Sequence, residues 1–188
     1  MRLAAPRIAP VDLDQLDDAQ RAALEPFLVQ GRVHNIFRTM ARLPKALTAF
    51  LSWGSYVLSR RNSLPPRERE LAILRTGFQC GAGYEWTQHV PIGRDGGLTD
   101  LEIERIKTGP DAPEWSPLDR AILRASDELV ADHFITTATW DALSELGDTG
   151  RTDLVFTVGQ YTQVSMILNS LGVQLDPGQQ LVPALDRR

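Results

Sequence analysis

Apolar residues recur along the chain at intervals of three and four, and rarely at two. That spacing builds helices with one buried face. It predicts a helix over 12–24, with Leu13, Leu16, Ala19 and Ala23 inward and Pro26 beyond its end. A second helix is expected over 35–42, with Asn35 as its cap, stopping near Pro44. A longer one over 45–60 buries Leu47, Phe50, Leu51 and Val57. Ser63-Leu64-Pro65-Pro66 is a helix start, because proline fits a first turn whose N–H groups have no partner anyway. The helix after it runs over 67–79, with Leu71, Leu74 and Phe78 on one stripe.

Gly81 and Gly83 interrupt the pattern, and a new helix begins near Tyr84. Pro91 is expected to end or kink it by removing the bond to the Thr87 carbonyl. Thr99 with Glu102 three residues on forms a capping box for the next helix. Ser116-Pro117 opens a helix over 117–133, another follows over 137–146 with Gly147 as its stop, and the last spans 151–171, closed by Gly172. After Asp176-Pro177-Gly178 the tail reads as extended. With no strand alternation and no internal repeat, the fold class is all-α.

The chain has 188 residues, 43% hydrophobic and 23% charged, the balance of one globular domain. Twenty Lys and Arg stand against 24 Asp and Glu, a net charge of −4. The one basic cluster, Arg60 and Arg61 with Arg67 and Arg69, is interrupted by Glu68 and Glu70. Neither nucleic acid nor an anionic membrane surface is an expected partner. A single cysteine, Cys80, excludes an internal disulfide and a CxxC pair and fits a reducing compartment. No early apolar run has the length of a secretory signal, so the expected location is the cytoplasm. The stretch 154–175 has no charge but carries Gln160, Gln163, Asn169 and Gln174, too polar for a membrane span. It reads as a buried helix. A helix without a charged face needs neighbours all round, which points to a homo-oligomer.

The chemistry concentrates between Glu70 and His89. Glu85 and His89 are four apart, so a helix puts them on one face. A carboxylate beside an imidazole fixes its tautomer and favours the charged form, and such a pair passes protons near neutral pH. Glu70 flanks the buried stripe of the preceding helix and would face His89 if the short glycine link folds the two helices together. The spacing fits a solvated surface pair as well as a catalytic one. A metal site is not expected, because one His with two carboxylates is a thin ligand set and no HExxH pattern occurs. Cys80 has no partner thiol to resolve a sulfenic acid, and it reads equally as a small buried side chain. His34 and His133 show no ligand spacing and read as structural or exposed. Gln160, Tyr161 and Asn169 are polar groups in the uncharged helix that either enter a pocket or pair within the core.

The runs NIFRTMARLPKAL, RERELAILR, YEWTQH and GLTDLEIERI, taken together, resemble the carboxymuconolactone decarboxylase family, which includes the alkylhydroperoxidase D-like proteins. The resemblance covers about 35–172. It implies an alkylhydroperoxidase D-like helical bundle over 35–175, a helical N-terminal extension over 1–34, a tail over 176–188, and assembly into trimers or hexamers. It places the proton-relay glutamate of the peroxidase branch on Glu70 and the histidine on His89. The two cysteine positions of that branch fall on Ala82 and Glu85, so the dithiol is missing. The Glu-x-x-x-His pair of the decarboxylase branch falls on Glu85 and His89. The function implied is a cofactor-free acid/base enzyme, a lyase or decarboxylase on a small carboxylated lactone or ring acid. His89, Glu85 and Glu70 would be catalytic, and Tyr84, Trp86 and Cys80 would line the pocket. The alternatives are a peroxidase using Cys80 with an external thiol, and a binding protein without turnover.

Overall fold

Capping chemistry decides where several helices begin. In the computed structural model, which describes residues 1–186, Asp17 and Gln20 form a capping box that starts α1, Asp18–Val29. The expected helix over 12–24 is therefore divided. A short 3-10 turn, Leu13–Gln15, comes first, and α1 runs on through Pro26. Proline costs the helix one hydrogen bond there. Phe27 and Leu28 beyond it pack with Leu24 and Leu47, which gives the extra turn its reason to form. Helix α2 is Asn35–Met40 and α3 is Pro44–Leu58. The cap of α2 is not Asn35: His34 is the capping position, and Asp176 from the far end of the chain accepts the Asn35 N–H at 2.7 Å.

Helix α4, Pro66–Gln79, has proline in its first turn as expected, and residues 80–82 link it to α5, Gly83–Gly96. Pro91 does not end α5, which continues to Gly96 with α4 packed along it. Helix α6, Asp100–Thr108, has the Thr99–Glu102 capping box that its sequence predicts. Helix α7, Pro117–Asp132, begins where the Ser116 hydroxyl accepts the Asp119 N–H at 3.0 Å. Helix α8, Thr137–Ala142, gives way to a 3-10 turn, Ser144–Leu146, which Gly147 closes as expected, and the same residue opens α9, Gly147–Leu171.

Helix α4 is the axis of the bundle. It packs on α5, α7, α9 and α6, and it is buried at every position from Glu70 to Gly77. Its Leu71 and Leu74 join Ile106, Ile122, Leu123 and Leu154 in the main core, while Ile73 faces a second core with Val57 and Tyr161. Two glycines let α5 come close. A Cβ on Gly77 would lie 3.3 Å from Glu85 Cγ, and one on Gly93 would lie 3.2 Å from Leu74 Cδ1. Larger residues at either crossing would push the helices apart.

Both ends of the chain pack into these cores. Met1 is buried, and its ammonium group donates to the Leu185 carbonyl. The tail expected to be extended runs irregularly from Gly172 and closes with a 3-10 turn, Pro183–Leu185, whose Leu185 is fully buried in the main core. Arg187 and Arg188, the end of the expected 176–188 tail, lie outside the described residues. Among the described residues, no helix is long and apolar enough to cross a membrane.

Leu185 thus tests whether the tail belongs to the core. Leu185→Ala is expected to cost about 2–5 kcal/mol, the range for a buried leucine. Phe134→Ala, at a residue 64% exposed, is expected to stay within about 0.5 kcal/mol. Urea unfolding of both variants measures the contrast; equal midpoints would mean that the tail contributes no packing.

Candidate functional site

The close crossing of α4 and α5 puts three ionisable side chains in a row. His89 Nδ1 lies 2.7 Å from Glu70 Oε2, and His89 Nε2 lies 2.9 Å from Glu85 Oε1. All three side chains are less than a tenth exposed. The Glu70 contact is a well-formed hydrogen bond. The Glu85 contact is a close ion pair too oblique to count as one, so Glu85 Oε1 remains without a hydrogen-bond donor. Glu70 Oε1 is likewise buried without a donor.

Burial alone would drive the imidazole to its neutral form. The fields of Glu85 and Glu70, with the hydrogen bond to Glu70, outweigh it and raise the His89 pKa to about 10. His89 is therefore an imidazolium at neutral pH, clamped between two carboxylates. Tyr161 packs edge-on against its ring, with centroids 4.9 Å apart. Burial first, and then the charges of Glu85 and Glu70, hold the Tyr161 hydroxyl well above the usual tyrosine range, so it stays a phenol.

A cavity of about 390 Å³ opens beside this row, between α2, α3, α5 and α9. Glu85 and His89 line it, whereas Glu70 is fully buried behind them. Most of the wall is apolar, with Phe37, Phe50 and Val164 among its residues. Gln160 and Tyr161 of α9 also line it, and Gln160 Oε1 has no hydrogen-bond donor. Leu58 and Ile92 line the cavity while 46% and 44% exposed, so they mark its mouth.

The carboxylates approach opposite nitrogens of one ring, so they cannot chelate a cation between them. Among the described residues, no cluster of His, Cys, Asp and Glu has a metal-holding arrangement.

Of the residues singled out in the sequence, Glu70, Glu85 and His89 come together, and Tyr84 lines the cavity. Trp86 and Cys80 do not reach it. Trp86 follows Glu85 by one residue, which turns it about 100° around the helix. It sits in the main core against Phe78, with the Lys107 ammonium over its ring. Cys80 caps α4 on another side, near Ser165 and Thr162, and burial pushes its thiol pKa up. Asn169 donates to the Cys80 carbonyl at 3.0 Å and so pins the α4–α5 link instead of entering the cavity.

His34, read from the sequence as structural or exposed, and Gln88, not singled out there, belong to the cavity. Both bond to Asp176. Gln88 had a legible signal: residues 84, 85, 88, 89 and 92 share one helical face. His34 had none, because its partner is 142 residues away.

The raised His89 pKa has a sign in stability. A folded-state value above the unfolded one of about 6.5 adds stability that is fully present below pH 6.5 and is lost as pH rises through about 10. Glu85→Gln removes one of the two carboxylates, so the loss still begins near pH 6.5 but is expected to be smaller and to be complete at a lower pH. Thermal melts from pH 6 to 10.5 on both proteins check it; superimposable profiles would mean that Glu85 does not hold the proton on His89.

Residues 44–128, which contain the Glu70–His89–Glu85 row, match the family model described as the carboxymuconolactone decarboxylase family. No curated protein matches the chain. Solved structures share the fold. An uncharacterized peroxidase-related protein from Ralstonia eutropha JMP134, with an alkylhydroperoxidase AhpD core, is 23% identical; the alignment covers 93% of this chain and 95% of that one, with a TM-score of 0.73. An uncharacterized peroxidase-related protein from Silicibacter sp. TM1040 is 17% identical over the same shares, with a TM-score of 0.76. The debrominase Bmp8, as a cysteine-to-alanine variant in complex with 2,3,4-tribromopyrrole, is 13% identical over 93% of this chain and 94% of that one, with a TM-score of 0.70. The chain thus has the AhpD-like helical fold, and its segment 44–128 matches the carboxymuconolactone decarboxylase family model.

Proposed function

We propose that the protein is an acid/base enzyme that moves a proton at a carbon of a small ring acid, with decarboxylation of a carboxylated lactone as its reaction class. The observation that carries this reading is the buried Glu70–His89–Glu85 row at the wall of an apolar cavity sized for a small ring. Glu85 meets the substrate. A proton that it takes up stays on its own carboxyl, while His89 keeps both ring protons and its charge remains balanced by Glu70. The imidazole is an imidazolium before and after, so no new charge is created inside the protein. The same step in reverse delivers a proton to carbon. In a decarboxylation, the C–C bond breaks and CO2 leaves. Its electron pair passes into the conjugated carbonyl, where the imidazolium stabilises it, and a proton from the row then closes the carbon.

A ring-sized ligand is known on this fold: Bmp8 holds a bromopyrrole. Peroxide reduction by Cys80 has no comparable support. Its thiol pKa is raised and it does not line the cavity.

The homo-oligomer belongs to the same proposal. Helix α9 leaves Phe156 and Met166 exposed, and α3 leaves Trp53 exposed along with Leu58 at the cavity mouth. Trp53 lies edge-on to Phe156, with centroids 5.2 Å apart, so exposed apolar groups of the two helices meet there. A second copy of the chain would cover them. Sedimentation equilibrium is expected to give a trimer or hexamer that the double variant Trp53→Glu, Phe156→Glu dissociates. A wild-type monomer would contradict the assembly.

For the chemistry, a panel of small carboxylated lactones is incubated in deuterated water, and CO2 release and deuterium incorporation are followed. Glu85→Gln is expected to lower turnover by about 10²–10⁴-fold, the usual share of a general acid or base, and His89→Ala at least as much. Undiminished turnover in either variant, or no turnover across the panel, would overturn the reading.

A further inference from the structure

The cavity has a second polar pole, built from parts of the chain that lie far apart. His34, between α1 and α2, turns Nδ1 to Asp176 Oδ2 at 2.6 Å. Asp176 comes from the tail and is itself tightly held. Its carboxylate also accepts the Asn35 N–H at 2.7 Å, the Gln88 amide at 2.6 Å and the Tyr84 hydroxyl at 3.1 Å. Burial opposes its charge. The hydrogen bonds from His34, Asn35 and Gln88 outweigh burial and hold the carboxyl below the usual range, so it is an anion. The hydroxyl of Tyr84 is spent on this network, accepting from the Ile36 N–H while donating to Asp176.

His34 lines the cavity and keeps about a quarter of its side chain exposed. With Nδ1 given to Asp176, Nε2 is the remaining ring nitrogen, and among the described residues no group pairs with it. A carboxylate on Nδ1–H fixes the tautomer that leaves a lone pair on Nε2, and it stabilises the imidazolium once Nε2 takes a proton. The dyad therefore has the construction of a general base. The charged groups around the cavity sort into two sets: Asp176 behind His34, and Glu85 and His89 of α5 with Glu70 of α4 buried behind them.

We propose that the His34–Asp176 dyad is a second acid/base group of the cavity, taking the proton of an acidic hydroxyl on the substrate, a phenol or an enol, and holding the oxyanion that results. The O–H proton moves to His34 Nε2. The oxygen keeps the bonding pair and faces the new imidazolium, which Asp176 balances. The substrate class is then a small apolar ring with an acidic hydroxyl at the His34 end. A proton-donating group at its other end would meet the unpaired acceptors Glu85 Oε1 and Gln160 Oε1. The inference rests on the cavity's being the substrate site, but not on the reaction run at Glu85.

The test uses 4-nitrophenol, whose phenolate is coloured and whose phenol is not. Equilibrium dialysis gives the bound amount, and absorbance gives its ionisation, at a pH where the free compound is mostly phenol. Bound at His34, it is expected to show about tenfold more phenolate than free in the same buffer, one pKa unit. His34→Gln should abolish that excess, and Phe134→Ala, outside the cavity lining, should leave it. In the wild-type protein, the His34 ring nitrogens, followed by 15N NMR, should move to imidazolium positions on binding, a readout that needs no variant to fold. Bound ligand that stays a phenol, an excess that survives His34→Gln, or no binding would each overturn the proposal. Loss of Glu85-dependent turnover with the phenolate excess intact would strike the proposed reaction alone.

Discussion

An imidazolium held between two carboxylates inside a protein is expensive to bury and hard to misplace. Each charge loses its water, and the attraction repays the loss only if the geometry is good. Here the geometry comes from a helix crossing. Glu70 lies on α4, Glu85 and His89 lie one turn apart on α5, and Gly77 and Gly93 let the two helices meet closely enough for both contacts to be shorter than 3 Å. The rest of the bundle serves that crossing. Helix α4 is enclosed by α5, α6, α7 and α9, so Glu70 can be fully buried. The row carries one net negative charge, and removing His89 would leave two buried carboxylates with no cation between them.

The same row divides the labour of the site. Glu70 is shut off from the cavity, and Glu85 faces it. A proton can be taken up at Glu85 with no change in the charge on the ring, which Glu70 continues to balance. The cavity wall adds shape and dryness rather than charge, which strengthens each electrostatic contact within it. Its far side depends on the two ends of the chain. Tail residue Asp176 caps α2 and fixes His34, while Leu185 anchors the tail in the main core.

Much of this was legible in sequence because it depends on short spacings. Thr99 with Glu102, Pro66 in a first turn, and Glu85 with His89 four residues apart are local patterns, and each forms. Glu70 was legible from its place beside a buried stripe. Helix ends were less so: α1 passes through Pro26 because Phe27 and Leu28 find partners on α3, and Gly147 opens α9. Trp86 was misplaced although helical geometry sets it a quarter-turn from Glu85. His34 and Asp176 were illegible because their pairing joins residues 142 apart, and nothing nearby in sequence marks either one.

The most direct test of the central claim is the protonation state of the His89 ring, read from its two nitrogens by 15N NMR between pH 5 and 11. The account predicts that both nitrogens carry a proton through neutrality and that the ring releases one only near pH 10. A single neutral tautomer at pH 7.5, with a midpoint near the ordinary histidine value of about 6.5, would show that the carboxylates do not hold the ring charged, and would contradict the account.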